Sequence, residues 1–422
     1  MRISRTFIRW LGALSLAAAT AVLVAACGGG DGGGDGGGGS PTPPAPTASN
    51  TAVITVGRGV ANVINIPTVS VTVCAPGTSN CQVVDNVLVD TASYGLRLVS
   101  DAVTGVLGGL PVTTVNGAPL AECGKFVSTY TWGSVRTADL KIGGETASAL
   151  PVQILGDLGA TNVPTSCTNN GTAANSASAL GANGILGIGP APLDCGATCT
   201  TSTSSLSNNY YACPNGNASC NVTLVPLAQQ VANPVQRFAS DNNGVIVQMP
   251  GISANGQASA TGLLTFGIGT QANNALGASN VLPSTTTGDV TASFLGRTLS
   301  PAAGGGAFFD TGSNAYFFDD SQTICTRNSS FYCPSGTVNY SATLTGQNGA
   351  QATVTMPVAN ADTLFANAST YAFNDIGGPF SRTPVSNPAP WLDIGLPHFY
   401  GKTIYFGMDL RGSGGAAPYV AF

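Results

Sequence analysis

Charge is what this 422-residue chain has least of. Only 8% of its residues are Asp, Glu, Lys or Arg, and fourteen Lys plus Arg stand against nineteen Asp plus Glu, for a net charge of −5. So few cations exclude a basic face, and no nucleic-acid partner is expected. They also argue against long surface helices, which carry Glu, Lys and Arg on their wet side. A polar surface built from Ser, Thr and Asn suits sheets and turns instead. Histidine is down to one, His398. With one histidine and no paired Cys-x-x-Cys spacing, no metal is expected. Without a Gly-x-Ser-x-Gly elbow there is no serine nucleophile for His398 to serve, and it reads as structural. The run from Gly28 to Gly39 follows no strand and opens no helix, so it is not a phosphate loop. No cofactor is expected. Beyond the N-terminus nothing approaches the roughly 18 apolar residues that span a bilayer.

What is present begins with export grammar. Arg2, Arg5 and Arg9 precede an apolar stretch from Leu11 to Val24, which ends in Val24-Ala25-Ala26-Cys27. Small residues before a cut fit a signal peptidase. A cysteine directly after the cut resembles the lipobox of bacterial lipoproteins. That resemblance implies a signal peptide over 1–26, lipid on Cys27, and a membrane held through that lipid. Gly28 rather than Asp follows the cysteine, which by the same resemblance implies the outer membrane, facing the periplasm of a bacterial envelope. Residues 27–50 are Gly, Asp, Ser, Pro and Thr with almost nothing to bury, and read as a flexible tether.

Apart from Cys27, ten cysteines remain, an even number in an exported chain. Cys74 and Cys81, Cys195 and Cys199, Cys213 and Cys220, and Cys325 and Cys333 sit close in sequence; Cys123 and Cys167 are left over. Five local disulfides are expected, with a connectivity that spacing does not fix.

About 370 residues follow the tether, enough for two lobes. Thr51 to Ile66 and Thr68 to Val73 alternate apolar and small polar residues. Cys74 to Cys81 encloses a Pro-Gly turn, and Val83 to Val89 is β-branched, so a closed hairpin is expected. One window, Val225 to Phe238, has helical spacing at Leu227, Val231 and Val235, with Pro234 interrupting it. Thr198 to Asn221, rich in Ser, Asn and Cys, reads as a surface loop. The fold class is mainly β with few short helices. Lobes are expected over 51–235 and 236–422.

Two apolar strands run into similar turns, Val87-Leu88-Val89-Asp90-Thr91-Ala92-Ser93 and Ala307-Phe308-Phe309-Asp310-Thr311-Gly312-Ser313, one in each half. Alone, either is an ordinary turn, because these residues favour turns. As a pair they resemble the bilobal pepsin-like aspartic peptidases. Tyr130-Thr131-Trp132-Gly133-Ser134-Val135 is similar to that family's flap hairpin, and Leu140-Lys141-Ile142-Gly143-Gly144 to the strand after it. Asn183-Gly184-Ile185-Leu186-Gly187-Ile188-Gly189 is similar to its apolar-apolar-Gly segment. Gly262 to Gly267, Trp391 to Gly395 and Tyr400 to Phe406 resemble strands of its second lobe.

The resemblance implies a two-lobed pepsin-like β fold, monomeric, holding an extended peptide or protein substrate between its lobes. Asp90 and Asp310 would be the catalytic pair. Two adjacent carboxyls cannot both ionise, so one holds a proton while the other activates water. Thr91 and Thr311 would lock the turns together, Ser93 and Ser313 would hydrogen-bond the outer carboxylate oxygens, Gly312 would complete the second turn, and Tyr130 would close the flap. Two departures weigh against activity. Ala92 stands where the family has Gly, and Asp393 intrudes into the second apolar-apolar-Gly segment. The alternatives are an inactive relative that binds peptide, glycan or a partner protein, and a structural surface lipoprotein.

Overall fold

The computed structural model describes residues 48–126, 129–169, 171–381 and 388–422. Pro67–Cys74 and Cys81–Asp90 form an antiparallel hairpin from Thr68↔Leu88 to Cys74↔Cys81, with a bulge between Val69 and Val71. A Cys74–Cys81 disulfide closes it. Period-two burial sets its faces: Val84 is buried while Val83 is exposed. The three-strand meander Ala118–Lys125, Thr129–Ile142 and Glu145–Leu155 follows.

The protein is mainly β. Its described α-helices are single turns of four residues: Thr104–Leu107, Thr165–Thr168, Ala177–Leu180, Thr198–Thr201 and Ala361–Leu364. The largest sheet draws strands from both halves of the chain. Thr51–Val56 pairs with Ala260–Phe266, and at its other edge Thr55 and Val56 pair with Thr68 and Pro67. Two four-stranded sheets belong to the later half.

A repeated supersecondary unit links the halves. In the first, Gly184–Ile188 lies parallel to Cys81–Asp90, with Gly187 opposite Asp90, and antiparallel to Tyr94–Val99. In the second, Trp391–Gly395 lies parallel to Gly306–Asp310, with Gly395 opposite Asp310, and antiparallel to Tyr316–Phe317. The last four residues of the first of these strands, Val87 to Asp90, and all of Gly306–Asp310 are buried on both faces, as their apolar runs require. One apolar cluster runs through both units, holding Val87, Val89 and Leu186 from one and Ala307, Phe309 and Ile394 from the other.

Three expectations need correction. The Val225–Phe238 window is not an α-helix. It holds two 3₁₀ turns, Leu227–Gln229 and Pro234–Arg237. Pro234 forces Asn233 into extended backbone, where its side chain caps Val235. Ala232 instead bridges to Leu193. The Thr198–Asn221 segment is not simply a surface loop. Tyr210–Ala212 within it pairs with the Ala118–Lys125 strand and buries both tyrosines. The alternation from Thr51 to Ile66 makes a strand only as far as Val56. Asn62 and Asn65, both in left-handed backbone, turn the chain beyond it.

All ten cysteines among the described residues form disulfides: Cys74–Cys81, Cys123–Cys167, Cys195–Cys199, Cys213–Cys220 and Cys325–Cys333. Cys123–Cys167 spans 44 residues and Cys195–Cys199 only 4. The longer loop restrains the unfolded chain more, so removing it by paired Ala substitution should cost about 4 kcal/mol, against about 2 for the shorter. Denaturant midpoints of the two double variants would check the order.

Candidate active site

Each Asp ends a buried strand, and the tight turn after it folds backbone amides onto the carboxyl. Asp90 Oδ1 accepts from the backbone N–H groups of Ala92 at 2.9 Å and Ser93 at 3.0 Å. Asp310 Oδ1 accepts from Gly312 N–H at 2.7 Å. Both carboxyls are fully buried, and they flank one point: a Cβ at Gly312 would stand 3.1 Å from Asp90 Oδ1 and 3.0 Å from Asp310 Oδ1. Ionised carboxylates only accept, and Asp90 Oδ2 meets no donor among the described residues.

The two turns are tied by reciprocal bonds. Thr91 Oγ1 donates to Phe309 O at 2.9 Å, and Thr311 Oγ1 donates to Val89 O at 2.7 Å. Each hydroxyl also accepts the other turn's amide: Thr311 N–H to Thr91 Oγ1 at 3.0 Å, and Thr91 N–H to Thr311 Oγ1 at 3.2 Å. Within each unit the turn is also held by an equivalent bond, Gly189 N–H to Ser93 O in the first and Leu396 N–H to Ser313 O in the second.

The serines differ. Ser313 Oγ lies 2.8 Å from Asp310 Oδ2 and 2.6 Å from Asp393 Oδ2. Ser93 reaches Asp90 through its N–H. Its hydroxyl lies against the carboxyl, off the geometry of a hydrogen bond.

Ala92 is not in left-handed backbone, so its methyl adds no strain there. It joins an apolar cluster with Phe308, Phe317 and Trp391. At Gly312 a methyl would stand 2.9 Å from Asp90 Cγ and 3.0 Å from Asp310 Oδ1, so glycine is required at the second turn and not at the first.

Tyr130 sits where the Ala118–Lys125 and Thr129–Ile142 strands meet, opposite Lys125. It packs in a cluster with Trp132, Tyr211 and the Cys123–Cys167 bridge, as a core aromatic of the hairpin. Residues 127–128, which separate these strands in sequence, lie outside the described residues, as do residues 1–47 with Cys27.

Burial raises the affinity of Asp90 for its proton, against its hydrogen bonds. Asp310 is held well above the usual carboxylate range by burial, then by the charges of Asp90 and Asp393. The pair therefore keeps a proton well above the acid range of a free carboxyl. A second buried polar group was not expected from the sequence. Arg97 pairs with Glu122 at 2.5 Å and Asp194 at 3.5 Å, and Tyr210 donates to Asp194 at 2.5 Å. It ties the hairpin to the Tyr94–Val99 strand, whose turn carries Asp90. Its signal was Arg97 between Leu96 and Leu98 in a chain so short of charge.

His398 packs against the rings of Phe309, Tyr316 and Phe422. Burial, then the charge of Lys402, lowers its pKa to about 3. The unfolded chain, with an ordinary histidine near 6.5, therefore binds the extra proton between these values, and stability from this group falls as pH drops through that window. Thermal melts should show a shallower acid-side decline in His398→Phe than in the parent.

Cys325, Cys333 and Asp362 come close enough to suggest a metal, but both sulfurs are committed to a disulfide. Among the described residues no helix is long and apolar enough to cross a membrane.

No curated protein matches the chain. Among solved structures, the crystal structure of an aspartic proteinase from Irpex lacteus is similar over 88% of this chain and 96% of that one, at 13% identity and a TM-score of 0.41, too distant to assign an activity. The match that assigns membership is a family model described as "Protein of unknown function (DUF3443)", which covers residues 46–422, and the chain belongs to that family.

Proposed function

We propose that this chain is an aspartic-type endopeptidase of two-lobed, pepsin-like architecture. The observation that carries the reading is the pair of buried carboxyls, Asp90 and Asp310, brought to either side of Gly312 by two turns whose threonines hydrogen-bond reciprocally. One carboxylate takes a proton from a water molecule as it attacks the scissile carbonyl. The other gives its proton to the developing oxyanion, and the leaving amine is protonated as the intermediate collapses. An extended peptide, hydrogen-bonded like an added strand, is the substrate class. The protein acts as a monomer with no cofactor, on a flexible tether held to the envelope membrane by lipid on Cys27.

The complete burial of both carboxyls favours a second reading, a catalytically silent relative that binds an extended partner. The full chain, with disulfides formed, incubated with an unfolded protein across acid to neutral pH, separates the two. Cleavage lost on substitution of either Asp supports the peptidase; cleavage that survives in either variant, or its absence from the parent, sinks it.

A further inference from the structure

Three carboxyls, not two, meet at this site. Asp393 lies on the Trp391–Gly395 strand opposite Phe308, the place that Ile185 holds opposite Leu88 in the first unit. The repeat therefore provides its own control: the same strand position carries an apolar residue beside Asp90 and a buried carboxyl beside Asp310. The link is Ser313, whose single hydroxyl proton faces Asp310 Oδ2 at 2.8 Å and Asp393 Oδ2 at 2.6 Å. One proton cannot serve two ionised acceptors. Either Asp393 is protonated and donates to Ser313 Oγ, which donates to Asp310, or the chain runs the other way. Both arrangements place one carboxylic proton on the Asp310–Ser313–Asp393 unit, and switching between them moves protons only along existing hydrogen bonds. Asp90 has no such relay, because Ile185 stands in the matching place and the Ser93 hydroxyl is off geometry.

We propose that Asp393 is a positioning residue that shares a proton with Asp310 through Ser313, making Asp310 the member of the pair that keeps its proton and Asp90 the one that ionises first. The groups acting most strongly on Asp310 agree: after burial, they are the charges of Asp90 and Asp393 on its two sides. The nearby Tyr94 phenol is held neutral by burial and donates to Thr287 O, so it offsets neither charge. This role depends on the peptidase reading for its catalytic meaning, but the proton sharing can be measured without catalysis.

The experiment is carboxyl-carbon NMR of the full chain labelled at Asp, titrated from acid to alkaline pH, with pH profiles of kcat/KM in parallel. Asp310→Asn assigns the resonance. In the parent the Asp310 carboxyl should titrate after Asp90. In Asp393→Asn, which keeps the shape but removes the charge, its midpoint should fall by about one pH unit or more. The alkaline limb of activity should move toward acid by a similar amount. Asp393→Ile, copying Ile185, should do the same; if it does not fold, Asp393→Asn carries the result alone. An Asp310 midpoint unchanged in folded Asp393→Asn overturns the inference. A shifted midpoint in a protein that cleaves no peptide upholds the proton sharing and sinks the peptidase reading instead.

Discussion

Asp310→Asn is expected to lower peptide cleavage by roughly 10⁴-fold, the upper range for loss of a general acid–base group, while making the folded protein more stable at neutral pH. The two effects have one cause. Burial, and the neighbouring charges of Asp90 and Asp393, raise the folded-state pKa of Asp310 above its unfolded value near 3.9. A carboxyl shifted this way contributes fully to stability only below the unfolded pKa, and the contribution is lost as pH rises through the folded one. Asn cannot ionise, so it escapes that loss. The variant should equal or trail the parent in strong acid and gain on it toward neutrality. Stability curves of both proteins from acid to neutral pH, alongside cleavage of an unfolded substrate, give the check. A variant destabilised throughout and still cleaving would remove Asp310 from the chemistry.

Thr311→Val should act in the opposite sense on stability. Valine matches the shape of threonine but loses the bond from Oγ1 to Val89 O and the acceptor for Thr91 N–H. Both partners are then buried and unsatisfied, at a combined cost of about 2–4 kcal/mol. The turns would also lose half of their reciprocal tie, so activity should fall well before unfolding. A denaturant midpoint with unchanged slope, measured beside kcat/KM, separates local loosening from global loss. Thr91→Val should match it, because the bonds are reciprocal.

Much of this was legible in the residues. The alternation in Thr68 to Val73, the β-branched run to Val89 and the paired Asp turns are local patterns, and local patterns survive folding when tertiary contacts agree with them. Four of the disulfides join cysteines 4 to 8 residues apart, the neighbours that the sequence groups, whereas Cys123–Cys167 spans 44 residues and spacing left that pairing open. The failures share another origin. Val225–Phe238 has helical spacing, but a single Pro234 with its extended predecessor outweighs it. Tyr210 and Tyr211 were hidden among Ser and Asn because burial beside the hairpin strand is a long-range event. Ser93 and Ser313 each stand three residues after an Asp, yet only Ser313 meets a second carboxyl, that of Asp393, which is 80 residues further along the chain.

The first strand of the folded body also has a consequence in time. Thr51–Val56 lies along Ala260–Phe266, and just ahead of it Asn50 donates to Phe266 O across 216 residues of sequence. A chain emerging from its N-terminus presents this strand long before its partner has been made. Until then one edge of it is bare, and closing so distant a contact is slow. The N-terminal end of the described body is therefore among the last parts to be secured, and it is fastened only when the second half has arrived.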